Sequence, residues 1–179
     1  MSKVTILVGL PGSGKTTYAR YCEKYLKCVR ASRDELSQIP SKLDVRSRIK
    51  LAVIDAFNEN KDVVVDGTYV SRTKRKEIET LARELGAELE ICVFDKSVEE
   101  CIERNNASKG IPKASEDTIK RLHQMYQAPT EDECDIIKVI DSKWEESHSK
   151  RIKTIVESDD KYRKLLCDKI NECRKSTVI

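Results

Sequence analysis

Apolar and polar residues are distributed along the chain with two distinct periods. Val4–Val8, Cys28–Ala31, Val63–Val65, Leu89–Phe94 and Ile136–Ile140 are short apolar runs of the length of a buried strand. Between them the spacing becomes helical. Ala19, Cys22 and Leu26 share a face within Thr17–Leu26, Ile49, Val53, Ala56 and Phe57 align across Leu43–Glu59, and Ile78, Leu81, Ala82 and Leu85 align across Arg72–Leu85, where Gly86 ends the pattern. Ser97 and Glu100 form a capping box ahead of Val98, Cys101 and Ile102. Ser115, followed by Glu116 and Asp117, opens a helix carrying Ile119 and Leu122. Strand-period runs separated by helical segments predict an α/β domain over residues 1–142, with a five-stranded, mainly parallel sheet flanked by helices. After Ile140 the chain turns into charge-dense helix, Trp144–Ile155 and then roughly Asp160–Cys173. That predicts a C-terminal helical extension over 143–179, with Leu165, Leu166, Lys169 and Cys173 on a packing face that offers a route to a homo-oligomer.

Composition narrows the class. Of 179 residues, 36% are charged and 39% hydrophobic, and no apolar run approaches membrane-spanning length, so no membrane partner is expected. Met1-Ser2-Lys3 leads directly into the first strand run, which leaves no room for a secretory leader and points to the cytoplasm. Seven cysteines form no C-x-x-C pair and only two histidines accompany them, so reduced structural thiols are expected rather than a zinc site. Net charge is +3, and residues 143–179, with ten Lys/Arg and seven Asp/Glu, carry all of it. A phosphate-rich partner must therefore be met by local basic clusters.

The first strand run leads into Gly9-Leu10-Pro11-Gly12-Ser13-Gly14-Lys15-Thr16, spaced G-x-x-x-x-G-K-[ST], and Thr17 begins the helix that follows. Glycines let such a loop turn tightly around phosphates, and the helix N-terminus adds a positive dipole. Lys15 supplies a point charge for the β- and γ-phosphates, and the Thr16 hydroxyl can ligate Mg²⁺. Gly9, Pro11, Gly12, Ser13, Gly14, Lys15, Thr16 and Thr17 are the expected donor-nucleotide contacts.

Ligands of open α/β sheets bind beyond the carboxyl ends of the strands. Ser32-Arg33-Asp34 follows the second run, where the Asp34 carboxylate can take the proton of an acceptor hydroxyl. Asp66 ends the third run, within Val65-Asp66-Gly67-Thr68, and is expected in the metal shell or at the acceptor. Tyr69 follows, placed to stack on a base. The cluster Arg72, Lys74, Arg75, Lys76 opens the next helix, with Arg72 and Arg75 taken as acceptor contacts. Residues 105–113 are polar, contain Gly and Pro, and read as a lid, with Arg104 and Lys109 as its phosphate-clamping cations.

In these motifs the chain resembles the polynucleotide 5′-kinase family, the small phosphate-loop kinase domain of nucleic-acid repair kinases. The resemblance covers roughly residues 4–141 and rests on Gly9 to Thr17, Ser32-Arg33-Asp34-Glu35-Leu36, Val65-Asp66-Gly67-Thr68, and Val93-Phe94-Asp95 followed by Glu103-Arg104-Asn105. It implies a P-loop kinase fold, ATP and Mg²⁺ as cosubstrates, and a 5′-hydroxyl of DNA or RNA as acceptor. It further implies Asp34 as general base, Lys15 and Thr16 on phosphates and metal, and Arg104 as a lid arginine. Family members usually join this domain to a phosphatase or ligase; here the kinase is expected alone. Three positions depart from the family pattern: Ser37 stands where an acceptor-phosphate arginine is usual, Ser108 or Lys109 stands nearest the second lid arginine, and Tyr69 replaces an asparagine. The alternatives are a kinase for a small molecule, a nucleoside or a modified base in DNA, and an ATP-binding regulatory protein, which would need no carboxylate at Asp34.

Overall fold

The computed structural model describes residues 2–108 and 113–158. Five strands alternate with helices: β1 (Lys3–Val8), α1 (Lys15–Tyr21), β2 (Val29–Ser32), α2 (Arg33–Gln38), α3 (Val45–Asn58), β3 (Val63–Asp66), α4 (Arg72–Glu84), β4 (Glu88–Phe94), α5 (Val98–Ala107), α6 (Glu116–Gln124), β5 (Ile136–Ile140) and α7 (Ser142–Ser147). The sheet runs in the order β2-β3-β1-β4-β5 and every pairing is parallel. Every apolar run anticipated as a strand is one. The order reverses beside β1, so the loop leaving β1 opens where the strand connections diverge and a cleft forms.

Two apolar layers cover the sheet. On one face Val4, Ile6, Val65, Leu89 and Ile91 pack against Ile49, Val53 and Ala56 of α3 and Ile78 and Ala82 of α4. These helical positions are the periodic ones, and Gly86 ends the α4 segment at φ 66°. On the other face Leu7, Val64, Cys92 and Phe94 pack against Tyr18, Ala19 and Cys22. After Tyr21 the chain widens into a π-helical turn, Cys22–Leu26, so Leu26 leaves the α-helical face on which Ala19 and Cys22 lie and is exposed. The capping box at Ser97 and the Ser115 cap both form, the Ser97 and Ser115 hydroxyls accepting from Glu100 N and Thr118 N.

Residues 143–158 belong to the second layer. Trp144 stacks on His148 at 4.4 Å and meets the Tyr18 and Tyr21 rings at 4.9 and 5.3 Å, while Ile155, in a helical stretch over 149–158, is buried beside Leu7. The remainder of the expected extension, 159–179, lies outside the described residues, as does any contact it makes. Among the described residues no helix is long and apolar enough to cross a membrane.

Candidate active site

The phosphate loop closes on itself between β1 and α1. Ser13 N donates to Leu10 O at 3.1 Å, and Gly12 and Gly14 take φ of 86° and 102°, conformations that side-chain-bearing residues rarely adopt. Gly12 has a second constraint: a Cβ there would lie 2.1 Å from the carbonyl oxygen of Cys101, so α5 packs directly on the loop. Gly14 caps α1 and leaves the first helical N–H groups facing the cleft. The Lys15 ammonium folds back over the loop, donating to Leu10 O at 2.6 Å and Ser13 Oγ at 3.3 Å. Burial pulls it down to about 8, against the opposing pull of Asp66, Cys101 and Asp34.

Asp66 ends β3 beside this loop. Its Oδ1 accepts from Thr16 Oγ1 at 3.3 Å and its Oδ2 from Arg30 Nη1 at 3.1 Å. Burial raises its affinity for a proton, and Arg30 and Lys15 oppose that. Arg30, on β2, also pairs with Glu35 and, at 3.4 Å, with Glu23, so its buried guanidinium ties β2 and the end of β3 to α2 and to the π-helical turn after α1. Thr16 and Asp66 form a hard oxygen donor pair that fits Mg²⁺ and would hold it beside the phosphates. Sequence reading missed Arg30, although a charge inside an apolar strand run signals a buried ion pair.

Asp34 lies in the first turn of α2, which Ser32 caps by accepting from Glu35 N. Its carboxylate is exposed and close enough to bias both Lys15 and Asp66. The Ser37 hydroxyl turns back and donates to Asp34 O at 2.7 Å. Beside Asp34, Arg33, Asp44, Val45 and Arg46 line an open cleft of about 380 Å³. Arg33 and Arg46 carry charge at this mouth that the motifs did not identify.

Arg104 sits in the last turn of α5, at the rim of the phosphate loop. A Cβ on Gly14 would lie 3.9 Å from its Nη2. Both of its terminal nitrogens reach Glu145 of α7, at 3.1–3.3 Å. Asn105 donates to Ala114 O at 2.8 Å, which joins the end of α5 to the start of the Ser115 cap. Lys109 lies outside the described residues.

The acceptor expectations need two corrections. Arg75 is fully buried and makes a fork-to-fork pair with Glu133, Nε to Oε2 at 2.8 Å and Nη2 to Oε1 at 2.9 Å, while its Nη1 donates to the carbonyls of Tyr69 and Gln127. Fully buried, with four of its five N–H groups bonded inside the protein, it presents nothing to an acceptor. Tyr69 is likewise buried in the first apolar layer, its ring behind Gly67, and offers no face to a base. Thr68, next to Gly67, is half-buried at the strand end. Arg72 donates to Thr130 Oγ1 and pairs with Asp132, bracing the segment 127–133, and its side chain borders a groove between α3 and α4 with Lys50 and Lys76.

This architecture, a parallel sheet in the order 2-3-1-4-5 with a phosphate loop after its central strand, is an α/β P-loop kinase fold. The chain belongs to the AAA domain family, whose model matches residues 4–129. A sugar kinase from Janibacter sp. HTCC2649 superposes with a TM-score of 0.60 at 16% identity, over 89% of this chain and 92% of that one. A chain of the Pnkp1/Rnl/Hen1 complex is 28% identical, with a TM-score of 0.50, over 64% of this chain and 41% of that one. A fungal RNA kinase superposes with a TM-score of 0.57 at 18% identity, over 78% of this chain and 74% of that one.

Proposed function

We propose that the protein is a polynucleotide 5′-kinase, transferring the γ-phosphate of ATP to a 5′-hydroxyl end of DNA or RNA. The observation that carries the reading is the place of Asp34, an exposed carboxylate in the first turn of α2, just beyond β2, near enough to Lys15 and Asp66 to act electrostatically on both. A phosphotransferase needs a base on the acceptor side, whereas a nucleotide-binding regulator does not.

In this reading the loop amides and Lys15 hold the donor phosphates, and Arg104 neutralises charge that develops on them. Mg²⁺, held by Thr16 and Asp66, would offset the negative charge of the β- and γ-oxygens. Asp34 accepts the proton of the 5′-hydroxyl as its oxygen bonds to the γ-phosphorus; the bond from that phosphorus to the bridging oxygen breaks, and ADP leaves. Arg33 and Arg46 supply guanidinium forks for the phosphate that follows the terminal nucleoside, the task that Ser37 cannot perform. The shared fold of the fungal RNA kinase is compatible with a nucleic-acid acceptor.

A second reading, a sugar or nucleoside as acceptor, draws on the two arginines of the same cleft rather than on Asp44, whose carboxylate caps α3 by accepting from Arg46 N, Ser47 N and Ser47 Oγ. The shared fold of the sugar kinase is compatible with it. Offering γ-labelled ATP with 5′-hydroxyl DNA, 5′-hydroxyl RNA, free nucleosides, simple sugars and duplex DNA containing a hydroxymethylated base separates the readings. Label on the strand ends is expected. Label confined to sugars, free nucleosides or the modified base contradicts the proposal.

A further inference from the structure

Three elements bring opposite charges to the rim of the phosphate loop, and two of the residues involved have no place in the reading above. Lys96 follows β4; its side chain is only 4% exposed and its ammonium lies 3.3 Å from Glu145 Oε2. Arg104, from α5, holds the same carboxylate through both terminal nitrogens. Glu145 Oε1 would lie 3.2 Å from a Cβ placed on Gly14, the residue that caps α1. The carboxylate therefore sits against the loop, between two cations.

We propose that Glu145 occupies a donor-phosphate position in the free protein and that Lys96 is, with Arg104, a second cation for the donor phosphates. The proposal rests on the nucleotide-kinase reading of this site. A buried ammonium needs an anion, and Glu145 provides one from the protein itself. A nucleotide phosphate at the same rim repels Glu145 and competes with it for both cations. Exchange costs little backbone movement, because α7 is fixed by the Asp141 cap on Trp144 N and by the Trp144 ring on Tyr18 and Tyr21. Only the Glu145 side chain has to swing away. Lys96 then contributes a point charge rather than a fork.

The test is the affinity of the full chain for ADP, measured by calorimetry without any acceptor, with thermal melts confirming that each variant folds. Glu145→Gln removes the competing charge and is expected to tighten ADP binding about fivefold, the scale of a partly exposed ion pair. Lys96→Met is expected to weaken it by a similar factor, and Lys96→Gln, which keeps a polar head in the buried position, to do the same. On the Lys96→Met background the gain from Glu145→Gln shrinks, since only Arg104 is released. Unchanged or weaker binding by Glu145→Gln makes Glu145 a strut for Arg104 and overturns the proposal, as does unchanged binding by both Lys96 variants. If the wild type binds ADP in a Lys15-dependent way while Glu145→Gln has no effect, this assignment alone fails; if the wild type binds no ADP, the nucleotide reading fails with it.

Discussion

The phosphate-loop side of the cleft keeps its form through backbone geometry, whereas the side proposed for the acceptor depends on exposed side chains from separate elements. On the donor side, Gly12 and Gly14 take positive φ, α5 packs against Gly12, and the buried Lys15 is tied to Leu10 and Ser13. On the acceptor side, Asp34 stands exposed in a six-residue helix, and Arg33, Asp44 and Arg46 border an open cleft. A backbone cradle recognises what every nucleoside triphosphate shares. A mouth of exposed side chains can change acceptor without disturbing the fold, which is how one family accommodates different substrates.

The sharpest way to separate the two sides is Asp34→Asn. It should lower the rate of phosphate transfer by ~10²–10⁴, the usual worth of a positioned base, while ADP affinity stays within about twofold. Single-turnover transfer beside equilibrium ADP binding checks both. Loss of binding in proportion to rate would make Asp34 part of the donor side.

Next in size is Arg75. Arg75→Met strands Glu133 in the interior and should cost about 3–5 kcal/mol of stability, read as a lowered urea midpoint. Arg75→Met combined with Glu133→Leu should recover much of that loss. Undiminished stability with a raised acceptor KM would return Arg75 to the acceptor side.

The smallest effect concerns pH and should appear on the donor side alone. Burial sets the Lys15 ammonium at about 8 in the free protein, and contact with phosphate raises it in the complex. Between the two values the complex binds more protons than the free protein, so affinity must fall as pH rises. ADP binding should be flat below about pH 8 and weaken by about tenfold per pH unit above it. A flat affinity from pH 7 to 9.5 would contradict the coupling.

The same contrast explains what the sequence revealed. Strands and helix faces follow from period, and the phosphate loop from a spacing that backbone geometry enforces, so Gly9 to Thr16 and the five strands were readable directly. Arg75 was misread because a buried arginine and a solvated one look alike in a run such as Arg72-Thr73-Lys74-Arg75-Lys76; only the folded position of Glu133, 58 residues away, distinguishes them. Tyr69 was misread for a related reason, since Gly67, with no side chain, leaves room for the ring to pack inward. Arg30 carried a usable signal as a lone charge in a strand run. Lys96 and Glu145 carried none, because their proximity depends on where α7 lands after β5.

The central claim is that the carboxylate at Asp34 and the phosphate loop act on one 5′-hydroxyl. It is tested most directly with limiting oligonucleotide and γ-labelled ATP, by counting phosphates transferred per strand end, alongside the same strand already carrying a 5′-phosphate. One labelled phosphate per 5′-hydroxyl end is expected, and none on the blocked strand. Equal labelling of both strands, or ADP formed with no labelled end, would contradict it.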